Sequence, residues 1–173
     1  MSEQGKHDLQ GESKAKSDAL RLLAARPRSV EELRGRLKLK KHPAEEIENV
    51  LETLKKQGLL DDEKFAKLMT VSKTLSRPVG RRQLEMDMKR KGISTRIIES
   101  TMSGLTDYDE KEAVRKLVES RAARMTGLPP EKRKARLFGF LKRRGFSSDA
   151  IYSVLKGLVS DDTFSKGDEH DES

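Results

Sequence analysis

The stretch LKRRGFSSDAIYSVLKGL, residues 141–158, places an apolar stripe behind two arginines and a glycine. Standing alone, it could be a nucleic-acid contact, a catalytic loop or the turn between two helices. Its recurrence decides. Moved back by 53 residues, it falls without a gap on MKRKGISTRIIESTMSGL, residues 88–105. Moved back by a further 51, it falls on LKLKKHPAEEIENVLETL, residues 37–54. Gly145 meets Gly92, Phe146 meets Ile93, and Ile151 meets Ile98 and then Ile47. A stretch present three times in register is an architectural unit.

The repeat extends upstream. Leu33 and Leu37 correspond to Leu84 and Met88, and then to Leu137 and Leu141. Each pair is spaced i, i+4, which puts both side chains on one helical face. Before these come three short apolar elements, Ala19/Leu20/Leu23, Phe65/Ala66/Met69 and Ala113/Val114/Leu117, all at helical spacing. Each unit therefore reads as three helices. Ser29 with Glu32 forms a capping-box pattern, and Asp109 with Glu112 has the same spacing. Ser147 is positioned to cap the last helix. Gly92 and Gly145 stand where a helix must stop, and glycine takes the left-handed conformation there without a Cβ penalty. The first unit has Lys41-His42-Pro43 at that place, so a different turn is expected in it.

No segment alternates β-branched residues with period two, so strands are not expected. The predicted fold is all-α, with three tandem three-helix repeats in an elongated, curved helical array. The expected boundaries are a disordered tail over 1–17, repeats over 18–57, 58–106 and 107–159, and an acidic disordered tail over 160–173.

Composition fits small helical units with wide solvated faces. The charged fraction is 38% and the aromatic fraction 4%. Cysteine is absent, which excludes disulfides and thiolate-bound metals and suits a cytoplasmic protein. The N-terminal residues lack the apolar core of a signal peptide, and no apolar run is long enough to span a membrane. The net charge of +8 is unevenly placed: residues 1–17 are neutral, residues 160–173 carry −5, and residues 18–159 carry +13. A basic body of this kind calls for an anionic partner, nucleic acid or a nucleoprotein surface above all, although basic surfaces are also common in proteins without one.

No catalytic apparatus is legible. His7, His42 and His170 are scattered and lack the spacing of metal ligands. DDEKFA, residues 61–66, clusters carboxylates as acid–base chemistry would, but its place ahead of an apolar helix assigns it to capping. There is no phosphate-binding glycine loop and no nucleophile elbow, so neither a catalytic residue nor a cofactor is expected.

What remains is a set of basic clusters: Arg81 and Arg82; Lys89, Arg90 and Lys91; Lys142, Arg143 and Arg144; and, in EKRKAR, Lys132 and Arg133 with Lys134 and Arg136. Several recur at equivalent places, so stacked repeats would align them as a stripe able to follow a phosphate backbone or an acidic groove. The plainer account is a solvated face whose cations stabilise helix C-termini. Few aromatics are available for stacking on bare single strands, and Phe65 and Phe146 fall at core positions.

RPRSVEELRGRL (26–37), GLLDDEKFA (58–66) and LKRRGFSSDAI (141–151), carried by three tandem three-helix units, resemble the bacterial RecX family. The likeness covers residues 18–159. The Lys-His-Pro turn, Met88 and Met102 at apolar positions, and the long polar tails depart from the pattern. The resemblance implies a non-enzymatic, monomeric modulator of the RecA nucleoprotein filament, in contact with both protein and DNA. It also implies inhibition of ATP hydrolysis, strand exchange and coprotease activity within DNA repair, recombination and the SOS response. On this reading the basic stripe meets the filament, with weak binding to bare DNA besides. Two other classes fit the residues: a DNA-binding protein that uses its units in helix-turn-helix fashion, and a helical scaffold for an acidic protein.

Overall fold

The computed structural model describes residues 3–125 and 127–161, with side chains over 14–125 and 127–156. These residues form nine helices and no strand. The first repeat holds α1 (Glu3–Ala25), α2 (Val30–Leu39) and α3 (Ala44–Lys56). The second holds α4 (Asp62–Leu75), α5 (Arg81–Arg90) and α6 (Thr95–Ser103). The third holds α7 (Glu110–Ala122), α8 (Pro130–Arg143) and α9 (Ser148–Asp161). The chain forms two compact units, Met1–Thr70 with Asp87–Gly104 and Val71–Met86 with Leu105–Ser173, so the division passes through α4 and α5.

In the first unit, Ala15 and Ala19 of α1, Leu33 and Leu37 of α2, and Ile47, Leu51 and Leu54 of α3 make one buried cluster. Phe65, Ala66, Met88, Ile93 and Ile98 make a second, smaller one. In the second unit, Ala113, Val114 and Val118 of α7 close on Leu137 and Leu141 of α8 and on Phe146, Ile151 and Leu155. Each fully buried Leu or Ile contributes about 1.5–3 kcal/mol. The i, i+4 pairs read from the repeat are therefore the residues that hold it.

Local capping follows the predicted residues, with one change. Ser29 Oγ accepts from Glu32 N at 3.1 Å, Asp109 Oδ1 from Lys111 N at 2.8 Å, and Ser147 Oγ from Ala150 N at 3.3 Å. The reciprocal arm expected of a capping box is diverted: the Glu32 carboxylate serves Arg26, Arg28 and Lys91.

Two expectations are corrected. The boundary at residue 18 falls too late, because α1 starts at Glu3 and Ala15 is already buried beside Ala19, one helical turn away. The sequence ahead of Ala15 is almost entirely polar, so apolar periodicity starts only at Ala15 and Ala19. The turn of the first repeat is not different either. Lys41 takes a φ of +63°, against +73° at Gly92 and +76° at Gly145. In each turn the next amide reaches back to the same helical carbonyl: His42 N to Leu37 O at 3.3 Å, Ile93 N to Met88 O at 3.1 Å, Phe146 N to Leu141 O at 3.3 Å. This is the Schellman closure of a helix, made three times. The expected tail over 160–173 lies, from residue 162 onward, outside the described residues.

Candidate functional site

The second helix of a repeat begins with four unsatisfied amides. In the first unit, α2 is met there by residues of the following repeat. Val30 N donates to Asp62 Oδ1 at 2.9 Å, and Ser29 Oγ donates to the Lys91 carbonyl at 2.5 Å. Lys91 Nζ lies 3.3 Å from Glu32 Oε2. A Cβ on Gly92 would collide with the Glu31 side chain, so this turn requires glycine for close approach as well as for its positive φ.

The second unit contains the same arrangement one repeat later. Arg81 N donates to Glu110 Oε1 at 2.6 Å, and Gly80 N donates to the Arg144 carbonyl at 2.9 Å. A Cβ on Gly145 would strike Gln83. Ser29, Val30 and Lys91 thus answer to Gly80, Arg81 and Arg144, and Asp62 answers to Glu110. Tyr108 Oη donates to the Val79 carbonyl at 2.8 Å, and burial, with the nearby Glu110 charge, pushes its hydroxyl up to about 12.

The DDEKFA carboxylates are therefore caps, but for two different helices. Asp61 Oδ1 accepts from Glu63 N and Lys64 N of its own helix, which holds its carboxyl below the ordinary value. Asp62 turns away to cap α2, and burial raises its carboxyl above the ordinary value against the pull of Val30 N. Burial also works against Glu32, but the hydrogen bonds from Arg26 and Lys91 prevail and hold that carboxyl down.

This framework sorts the ten predicted basic residues. Three are engaged within the fold. Arg81 donates to the Leu105 carbonyl at 2.5 Å besides its amide bond, Lys91 pairs with Glu32, and Arg144 donates to the Pro78 carbonyl at 2.9 Å and lies over the Phe140 ring at 4.9 Å. Arg133 is half-buried, and Arg90 is exposed but pairs with Asp87 one turn back. Arg82, Lys89, Lys132, Lys142 and Arg143 are exposed, and Lys142 makes only a 3.0 Å bond to Ser148 Oγ. In the first unit the solvent-facing set is Lys89 and Arg90, at the last turn of α5. In the second it is Arg82, Lys132, Lys142 and Arg143. Lys132, Arg136 and Arg143 share one side of α8. Arg121 and Arg124 lie outside the predicted basic clusters, yet with Arg136, Met125, Gly127 and Leu128 they line a concavity of about 540 Å³. Arg121 lies over the Phe140 ring at 4.0 Å. Among the described residues, no helix is long and apolar enough to cross a membrane.

Three family models match the chain in sequence: RecX, first three-helix domain, over residues 15–54; RecX, second three-helix domain, over 61–102; and RecX, third three-helix domain, over 108–155. The regulatory protein RecX of Thermobifida fusca is 33% identical over 144 residues, covering 83% of this chain and 78% of its own. That of Chlorobium limicola is 34% identical over 146 residues, covering 84% and 90%. The crystal structure of RecX from Lactobacillus salivarius matches with a TM-score of 0.73 at 22% identity, covering 87% of this chain and 97% of that one, a likeness of fold. With one match to each of the three helical domains, in order, and relatives a third identical over most of their length, the chain belongs to the RecX family of regulatory proteins.

Proposed function

We propose that this protein binds the RecA nucleoprotein filament and inhibits it, lowering ATP hydrolysis, strand exchange and coprotease activity without catalysing a reaction itself. The supporting observation is the sorting of the cations. Contacts within the fold consume Arg81, Lys91 and Arg144, while Arg82, Lys89, Lys132, Lys142 and Arg143 stay in solvent, with Lys89 and Lys142, and Arg90 and Arg143, at the same repeated helix end. Exposed cations at recurring positions meet an anionic partner at several points, each contact weak and the sum strong. A filament offers protein carboxylates and DNA phosphates together, in the cytoplasm, and needs no cofactor from its inhibitor. The protein acts on it as a monomer.

Anisotropy titrations test this with three labelled probes: bare duplex, bare single strand, and single strand coated by RecA with a slowly hydrolysed nucleotide. The coated strand should bind most tightly, with affinity falling as salt rises. Tight binding to bare DNA and none to the coated strand would contradict the proposal and favour direct DNA binding. Salt-independent binding to RecA alone would favour a protein scaffold.

A further inference from the structure

The first and third repeats treat one position in opposite ways. In the first, Glu32 of α2 neutralises Arg26 and Arg28 from the α1–α2 connection. The repeat register carries Glu32 onto Gln83 and then onto Arg136 of α8. There the preceding helix and connection supply Arg121 and Arg124, and the internal counter-charge has become a third guanidinium. Among the described residues, Arg121, Arg124 and Arg136 line the 540 Å³ concavity with Met125 and Leu128, and no carboxylate does. None of the three has an acidic partner among the described residues. Arg121 is held in place by the Phe140 ring. Three cations around one hollow repel each other unless an anion sits among them, and Met125 and Leu128 give that anion an apolar neighbour.

The chain carries a matching segment. Residues 162–173, DTFSKGDEHDES, hold a net charge of −4 and one aromatic residue, Phe164. They follow α9, which packs on both α7 and α8, the helices that carry the arginines. Twelve extended residues reach up to about 40 Å. We propose that segment 162–173 docks in the arginine-lined concavity, with carboxylates on the guanidiniums and Phe164 against Met125 and Leu128. Tethering gives the segment a millimolar-scale effective concentration. It therefore acts as an internal competitor that any other polyanion must displace before reaching this part of the basic surface. The proposal is independent of the partner's identity.

The chain lacks tryptophan, so Phe164→Trp supplies a single fluorescent reporter in the full-length protein. Its emission should be blue-shifted at low salt. High salt, or the combined substitutions R121S, R124S and R136S, should return it to that of a solvated indole. A labelled peptide of residues 162–173 should bind a chain truncated after Asp161 at least about tenfold more tightly than the full-length chain, which competes with it intramolecularly. The triple substitution should abolish that binding, with helical content by circular dichroism unchanged. Solvated emission under all conditions, a blue shift that survives the triple substitution, or equal peptide affinity for both chains would overturn the proposal. A shift that grows with protein concentration would assign the hollow to the segment of a second copy, and would also overturn it.

Discussion

Ser29 Oγ donates to the Lys91 carbonyl at 2.5 Å, across 62 residues of sequence, and so ties the start of α2 to the turn that ends α5. Gly80 N and the Arg144 carbonyl repeat the tie at 2.9 Å between α5 and the turn that ends α8. The glycine after each of these carbonyls combines a positive φ with backbone too close to a helix for any side chain. These turns are joints between repeats.

Gly145→Ala and Gly92→Ala should each destabilise the protein by about 2–4 kcal/mol, strain and collision together. For a chain of this length that lowers the melting temperature by roughly 5–15 °C. Gly35→Ala is the contrast, since it lies inside α2 with open space where the alanine methyl would stand, and it should stabilise by about 0.5–1 kcal/mol. Thermal melts of the three variants check this.

Lys41 occupies the same left-handed position at φ +63° but is exposed, so only its conformation is unfavourable. Lys41→Gly should stabilise by about 0.5–1 kcal/mol, the left-handed strain removed less the extra chain entropy of glycine. Denaturant unfolding reads the difference, and an unchanged or lower midpoint would count against it.

Asp62 makes a cap at the cost of burying a charge. Its folded value is raised, so protonation favours the folded state, and its contribution to stability declines as pH rises through that value. Asp62→Asn keeps an oxygen for Val30 N without the charge. It should be near neutral at pH 7 and should steepen the loss of stability toward acid pH, because the gain that protonating Asp62 brings there is removed. Asp62→Ala leaves the amide unanswered and should cost about 1–2 kcal/mol. Stability measured against pH for both variants separates the two effects.

Much of the helical framework was legible because repeat register and i, i+4 spacing report on the same face. Leu33/Leu37, Leu84/Met88 and Leu137/Leu141 are buried as that spacing requires. Contacts between successive repeats were less legible, because periodicity shows which side of a helix is inward and not which backbone it meets. Thus Arg81, Lys91 and Arg144 look like their exposed neighbours in sequence, yet each is tied into the fold. Asp62 looks like a second cap for α4 and serves α2. The signal lay in the register itself, where Val30 and Asp62 fall on Arg81 and Glu110, and Glu32 falls on Arg136. Lys41 misled for a different reason: its backbone copies glycine, while no packed neighbour demands the absence of a side chain.

The most direct test of the central claim is the DNA-dependent ATPase of RecA, assayed with rising amounts of this protein and of a variant carrying R82E, K89E, K142E and R143E. The wild-type chain should depress hydrolysis as it approaches stoichiometric ratios to RecA. The variant, with unchanged helical content, should need at least about tenfold more protein for the same effect, since four contacts with an anionic surface are reversed. Hydrolysis that stays constant with wild-type protein in excess would contradict the account.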